Sequence, residues 1–280
     1  MYFDKMANRM KDYRVKPHDR LTLRDRDAGD TGEYAGAVAA EDRTDHLRQK
    51  LDELQERLYA EGRRALLIVL QGIDTSGKDG TIRHVMSGIN PEGCVVSSFK
   101  TPTSLEKAHD FLWRVHAACP PHGYVGIFNR SHYEDVLITR VHGWITDKEA
   151  KRRLEQIRDF ERLLTSSGTR IVKFFLHISK DEQKKRLLAR VDSPEKHWKF
   201  SAQDLKERGN WKAYEKAFEN AISATSTKEA PWFIVPANHH WYRNLVVAEC
   251  IVAALQDMDP RPPAIQGVDW RKLHRKVASS

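Results

Sequence analysis

The run Gly72-Ile-Asp-Thr-Ser-Gly-Lys-Asp-Gly80 gathers residue types suited to capturing a phosphate group. Gly72 and Gly77 let the backbone curl so that successive N–H groups aim at one anion, and Lys78 sits where its ammonium can reach outer phosphate oxygens. Thr75, Ser76, Asp79 and Gly80 complete the phosphate-binding candidates of this stretch. The spacing Gly-x4-Gly-Lys is that of a Walker A loop. Asp79 stands where a Ser or Thr hydroxyl normally holds Mg²⁺, and a second acid, Asp74, lies inside the loop. Negative charge beside a phosphate site makes sense when a cation is held between them.

Two further segments carry chemistry. Asn129-Arg-Ser-His-Tyr-Glu-Asp135 follows a short apolar run, and in a P-loop protein a second strand ends beside the Walker loop and offers an acid to the metal. Here the first position is Asn129, the carboxylates arrive at Glu134 and Asp135, and Arg130 can pair with phosphate oxygens in bidentate fashion. Between 184 and 211 lies a basic and aromatic stretch, with Arg186 and Arg190 one turn apart and Lys196, Lys199 and Arg208 beyond them. It reads as a lid that supplies cations to a transition state, Arg190 foremost. Lys100, Lys196, Lys199 and Arg208 are the further phosphate-binding candidates.

These residues need a frame. Ala65 to Gln71 reads as a buried strand that turns through the loop into a helix ending near Gly88. Leu47, Leu51, Leu54 and Leu58 recur at helical spacing behind a cap at Thr44 or Asp45, and Gly62 ends the run. Val95 to Phe99, Tyr124 to Phe128, Thr169 to Ile178 and Trp232 to Val235 are the other strands. Thr103 with Glu106 predicts a capped helix through His116, Thr146 with Glu149 one to about Leu164, and Ser179 with Glu182 another. Leu245 to Leu255 is the last apolar helix, and Pro260 to Ser280 a tail. Strands alternating with helices predict an α/β fold whose parallel sheet is covered on both faces, with the ligand at the carboxyl ends of the strands.

The 280 residues suffice for one α/β domain over 44–260, with a polar arm at 1–43 and the tail at 261–280. A mean hydropathy of -0.64, no apolar run of membrane length and no apolar core in Met1-Tyr-Phe-Asp-Lys-Met predict a cytoplasmic protein without a membrane partner. Cys94, Cys119 and Cys250 are too few and too widely spaced for a disulfide framework or a zinc site. A net charge of +8 favours a polyanionic partner.

Three stretches, Gly72 to Gly80, Phe128 to Asp135 and Pro194-Glu-Lys-His-Trp-Lys-Phe200, together resemble the second family of polyphosphate kinases. The likeness continues through Asp110 to His116, Lys173 to Ser179 and Trp232 to Ala237, over about residues 45 to 260. It implies a thymidylate-kinase-like, three-layer P-loop fold with a helical lid. It also implies Mg²⁺-dependent transfer of phosphoryl groups between inorganic polyphosphate and nucleotides. Asp74 and Lys78 match the family's Walker A acid and lysine, and Arg130 its Walker B arginine. Many members begin that segment with Asp-Arg-Ser and continue with Trp-Tyr-Asn. Asn129, His132 and Glu134 instead resemble the class III subgroup, which phosphorylates both nucleoside mono- and diphosphates. The resemblance makes Asn129, His132, Glu134 and Arg114 the nucleotide-binding candidates and Asp74 with Glu134 the metal candidates.

The expected reaction is reversible transfer of the terminal phosphoryl of polyphosphate to ADP, and to AMP, giving ATP. Asp74, Lys78, Arg130 and Arg190 are its catalytic candidates, and the resemblance suggests a homo-oligomer. An ATP-dependent nucleotide or small-molecule kinase on the same scaffold is the alternative enzyme. A basic P-loop module for nucleic acid is the non-enzymatic alternative, disfavoured because no recognition signature accompanies the loop.

Overall fold

The computed structural model describes residues 10–280, so the start of the arm and the reading of Met1 to Met6 lie outside the described residues. Five strands, β1 (Ala65–Gln71), β2 (Cys94–Ser98), β3 (Val125–Asn129), β4 (Thr169–His177) and β5 (Trp232–Pro236), form one parallel sheet in the order β2-β3-β1-β4-β5. The helices are α1 (Glu41–Glu61), α2 (Lys78–Val85), α3 (Ser104–Lys107), α4 (Trp113–Ala117), α5 (Ile138–Val141), α6 (Asp147–Ser166), α7 (Lys180–Val191), α8 (Ala202–Gly209), α9 (Trp211–Thr225), α10 (His240–Met258) and α11 (Trp270–Ala278).

The central strand shows why the layers form. Every residue of β1 is buried, and its side chains alternate between two separate cores. Leu66, Ile68 and Leu70 meet the leucines of α1 and the apolar face of α10, whereas Leu67 and Val69 meet Ile157, Phe160, Phe218 and Ile222 of α6 and α9. Two covered faces make three layers. The β2 edge is short and leaves Val95 and Val96 exposed. Among the described residues no helix is long and apolar enough to cross a membrane.

Several boundaries differ from the expected ones, each for a local reason. Helix α1 starts at Glu41, and Thr44 is no cap: its hydroxyl donates to the Ala40 carbonyl at 2.8 Å within the first turn. The Thr103–Glu106 capping box is present, yet the expected long helix is two short ones. Asp110 accepts the Leu112 N–H at 2.9 Å, and this Asx turn competes with continued helix. Helix α2 stops at Val85, α10 begins at His240, and the tail contains α11, capped by Asp269 on the Lys272 N–H. From residue 10 the arm is packed: Val15 donates to the Trp232 carbonyl at 2.9 Å, and Leu21 and Leu23 are buried against α9 through Ser223 and Glu219.

Candidate active site

The Walker loop leaves the sheet at its centre. Arg130 N–H bonds the Leu70 carbonyl at 3.1 Å, and Leu70 pairs with Asn129, so the end of β3 lies against the start of the loop. A Cβ on Gly72 would stand 2.9 Å from the Leu176 carbonyl oxygen, and one on Gly77, at φ 99°, would stand 1.9 Å from Arg243 Nη1. Neither position admits a side chain. Thr75 holds a left-handed conformation at φ 69°, which costs a non-glycine residue about 1–2 kcal/mol.

The loop holds the features of an anion cradle. Thr75 Oγ1 and Ser76 Oγ are buried and have no hydrogen-bond partner. Buried hydroxyls are normally paired, so these two suit an acceptor supplied by a ligand. Lys78 Nζ rests on the Gly72 carbonyl at 2.8 Å. Burial, with Arg130 nearby, pushes its ammonium down to about 8, against the opposing pull of Asp74, Glu134 and Asp79. An incoming phosphate would restore its charge.

Arg130 occupies the middle of the site. Its backbone is left-handed at φ 61°, and its guanidinium reaches Asp74 Oδ1 at 2.8 Å and Glu134 Oε2 at 3.4 Å. Asn129 Nδ2 donates to Asp79 Oδ1 at 2.7 Å. The geometry therefore brings Asp74, Lys78, Asp79, Asn129, Arg130 and Glu134 together. Among the described residues no group of three His, Cys, Asp or Glu side chains is arranged to hold a metal ion. Asp74 and Glu134, partly open to solvent and both bonded to Arg130, are the carboxylates beside the loop that could serve an ion such as Mg²⁺, which keeps its waters and takes further oxygens from a phosphate substrate.

Other candidates sit differently. His132 is only 1% exposed, its Nε2 lying 3.3 Å from Glu161 Oε1 and its buried Nδ1 without a partner, so the structure places it beneath the segment and apart from the residues gathered at the loop. Arg114 packs over the Phe99 ring and bonds the Lys100 carbonyl at 2.9 Å and Asp135 at 3.4 Å, which engages its guanidinium within its own neighbourhood. In the basic stretch, Arg190 holds the Lys199 carbonyl at 3.1 Å and Asp204 at 3.5 Å, while Arg208 bonds the Lys180 carbonyl and Gln183 Oε1, each at 2.8 Å. Lys196 lies 3.7 Å from Glu195, and Lys199 sits over the exposed Trp198 ring. Burial first and then the Asp74 charge raise the Asp204 carboxyl above its ordinary value, against the pull of Arg190 and Arg130, so the start of α8 lies within electrostatic reach of the loop.

Two arginines touch the loop in ways the sequence does not announce, Arg186 from the lid stretch and Arg243 from α10. Arg186 donates to the carbonyls of Thr75 at 2.9 Å, Ser76 at 3.2 Å, Ala237 at 2.6 Å and Asn238 at 3.0 Å. It braces the cradle through these carbonyls, whereas the lid reading of 184–211 has it supply a cation beside Arg190. Arg243, 2% exposed, reaches the Ser76 carbonyl at 3.3 Å and is pushed down to about 9 by burial and by Arg186. The available signal for Arg243 is that it is the one Lys or Arg in a helix rich in apolar residues.

The chain is similar to known proteins in sequence and in fold. A protein-family model of polyphosphate kinase 2 matches residues 36–263. An AMP/ADP-polyphosphate phosphotransferase of Meiothermus ruber is 49% identical over 255 residues, covering 91% of this chain and 96% of the relative. An ADP-polyphosphate phosphotransferase of Rhodopseudomonas palustris is 49% identical over 222 residues, 75% of this chain and 77% of the relative. The crystal structure of polyphosphate kinase 2 from Arthrobacter aurescens superposes with a TM-score of 0.92 at 44% identity, covering 96% of each chain. With the matched region enclosing the cradle, the Arg130 segment and the basic stretch, the chain belongs to the polyphosphate kinase 2 family.

Proposed function

We propose that this enzyme transfers the terminal phosphoryl group of inorganic polyphosphate to ADP and to AMP, forming ATP, in a reversible reaction. The observation that carries the reading is the cradle itself, in which two unpartnered buried hydroxyls and a buried lysine face a loop that admits no side chain at Gly72 or Gly77. A polyphosphate terminus presents the same oxygens as a nucleotide phosphate, and the names of the relatives supply the substrate class.

Phosphoryl transfer asks the protein for alignment and charge neutralisation rather than covalent chemistry. The loop amides, Thr75, Ser76 and Lys78 would hold the transferred group. Arg130 would balance its equatorial oxygens, helped by Arg190 as residues 184–211 close as a lid. Asp74 and Glu134 would hold Mg²⁺, which when bound supplies positive charge across the phosphate oxygens. The acceptor phosphate is already ionised at neutral pH, so no general base is required and none is assigned. A polymer with charge on every unit also gives the excess of basic residues a use, so activity is expected to fall as salt is added.

The alternative, an ATP-dependent kinase on the same scaffold, differs in its donor. Incubating the enzyme with AMP and either polyphosphate or ATP, and following ADP by chromatography, separates them. Turnover with polyphosphate supports the proposal. Turnover with ATP alone and indifference to polyphosphate overturns it.

A further inference from the structure

Directly behind the Arg130 segment lies a buried polar cluster with no part in the chemistry above. Lys173, in the middle of β4 and wholly buried, donates to Glu161 of α6, to Tyr133 Oη at 3.0 Å and to the Thr225 carbonyl at 2.9 Å. Tyr133 Oη also meets Glu161 Oε1 and Thr225 Oγ1, each at 2.8 Å, and Trp232 Nε1 donates to the same threonine oxygen at 2.9 Å. Strands β4 and β5, helices α6 and α9, and the turn His132–Asp135 all contribute.

A core gains little from such a cluster. Removing an ion pair from water costs about as much as the attraction returns, and apolar residues of similar shape are often as stable. What the cluster does achieve is fixation. Tyr133 stands three residues beyond Arg130, and the chain between them has no slack. Arg130 N–H is tied to Leu70, Ser131 Oγ receives Gln71 Nε2 at 3.1 Å, and the same oxygen accepts the Tyr133 N–H at 3.2 Å. Arg130 is thereby held in a left-handed conformation that a free chain avoids, with its guanidinium directed at Asp74 and Glu134. A shift of Tyr133 would pass through Ser131 into Arg130.

We propose that Tyr133, locked through its hydroxyl by the buried Glu161–Lys173 pair and Thr225, is a positioning residue that sets Arg130 for phosphoryl transfer. The inference rests on the reading of Arg130 given above. It explains why a buried ion pair stands under a turn one face of which belongs to the site. It also separates the two halves of the segment: Arg130 and Glu134 face the reaction, whereas His132 and Tyr133 face the anchor.

Tyr133→Phe removes only the hydroxyl, leaving the ring against Trp232 at 4.9 Å between centroids. A small misplacement of a charge-stabilising group costs rate more than binding, so kcat is expected to fall about tenfold while KM for ADP and polyphosphate stays within about twofold. The decisive comparison is a double-mutant cycle. In an Arg130→Ala background the same substitution should cost less than about twofold, because the group it positions is gone. An equal factor in both backgrounds, or an unchanged kcat in folded Tyr133→Phe enzyme, overturns the proposal. Should Tyr133→Phe fail to fold, Thr225→Ala, which removes a partner of the same hydroxyl, is read in the same cycle by the same criteria. An Arg130→Ala enzyme with undiminished kcat overturns the underlying reading of Arg130 and this proposal with it, a result distinct from the other two.

Discussion

Asn129 Nδ2 donates to Asp79 Oδ1 across 2.7 Å, so the amide at the end of β3 and the acid in the first turn of α2 satisfy each other. Each is unusual for a P-loop protein when taken alone. Together they replace a hydroxyl and a carboxylate with an amide and a carboxylate, and the negative charge moves from strand to helix, where the dipole of α2 favours it. Asn129→Asp would set two carboxylates against each other. We expect this variant to lower melting temperature and activity, and Asp79→Asn combined with it to restore most of both. Failure of the double variant to recover beyond the single one would show that the pair does not act as a unit.

Lys78 makes stability depend on pH. Burial lowers its folded-state value to about 8 from an ordinary 10.5. Between those values the unfolded chain binds more protons than the folded one, so Lys78 contributes a gain in stability as pH rises from about 8 toward 10.5. Thermal denaturation of the free enzyme over that window, compared with Lys78→Met, should show the rise in the wild type and a flatter profile in the variant. Polyphosphate binding restores the charge, so near pH 8 it should take up part of a proton, read by calorimetry in buffers of different ionisation enthalpy.

Arg186 acts as a brace. Substitution by Ala removes its bonds to four backbone carbonyls around the loop, and is expected to cost about 2 kcal/mol of stability. The KM for polyphosphate should rise with it, because the Thr75 and Ser76 carbonyls lose the group that orders them. Denaturant titration and steady-state kinetics check the two halves separately.

His132→Gln tests whether that residue serves the core or the nucleotide. A buried side chain bonded to Glu161 should affect stability and leave nucleotide selection alone. The expected outcome is a lower melting temperature with the KM values for AMP and ADP within about twofold of wild type. A large, selective rise in either would return His132 to the nucleotide site.

The frame was legible because its signals are local. The apolar run into Gly72, the capping pairs Thr146–Glu149 and Ser179–Glu182, and the alternation of strand and helix each depend on residues within a few positions. The Walker loop, Lys78 and Arg130 were read in the same way. What sequence could not convey is direction. Arg186 and Arg190 lie one turn apart in a basic stretch, yet one donates to the Walker loop carbonyls and the other to Lys199 and Asp204. Glu161 and Lys173 look like ordinary charges in a helix and a strand until the fold buries both beside Tyr133. Asn129 and Asp79 are fifty positions apart, and nothing along the chain announces that they meet.

If the proposal holds, the cradle built by Gly72, Thr75, Ser76, Gly77 and Lys78 takes its phosphoryl group from polyphosphate. Purified enzyme supplied with Mg²⁺, polyphosphate and ADP, with ATP followed by luciferase, tests it most directly. The expected result is ATP formation that depends on polyphosphate and is lost in Lys78→Ala. ATP no greater than in the Lys78→Ala control would contradict it.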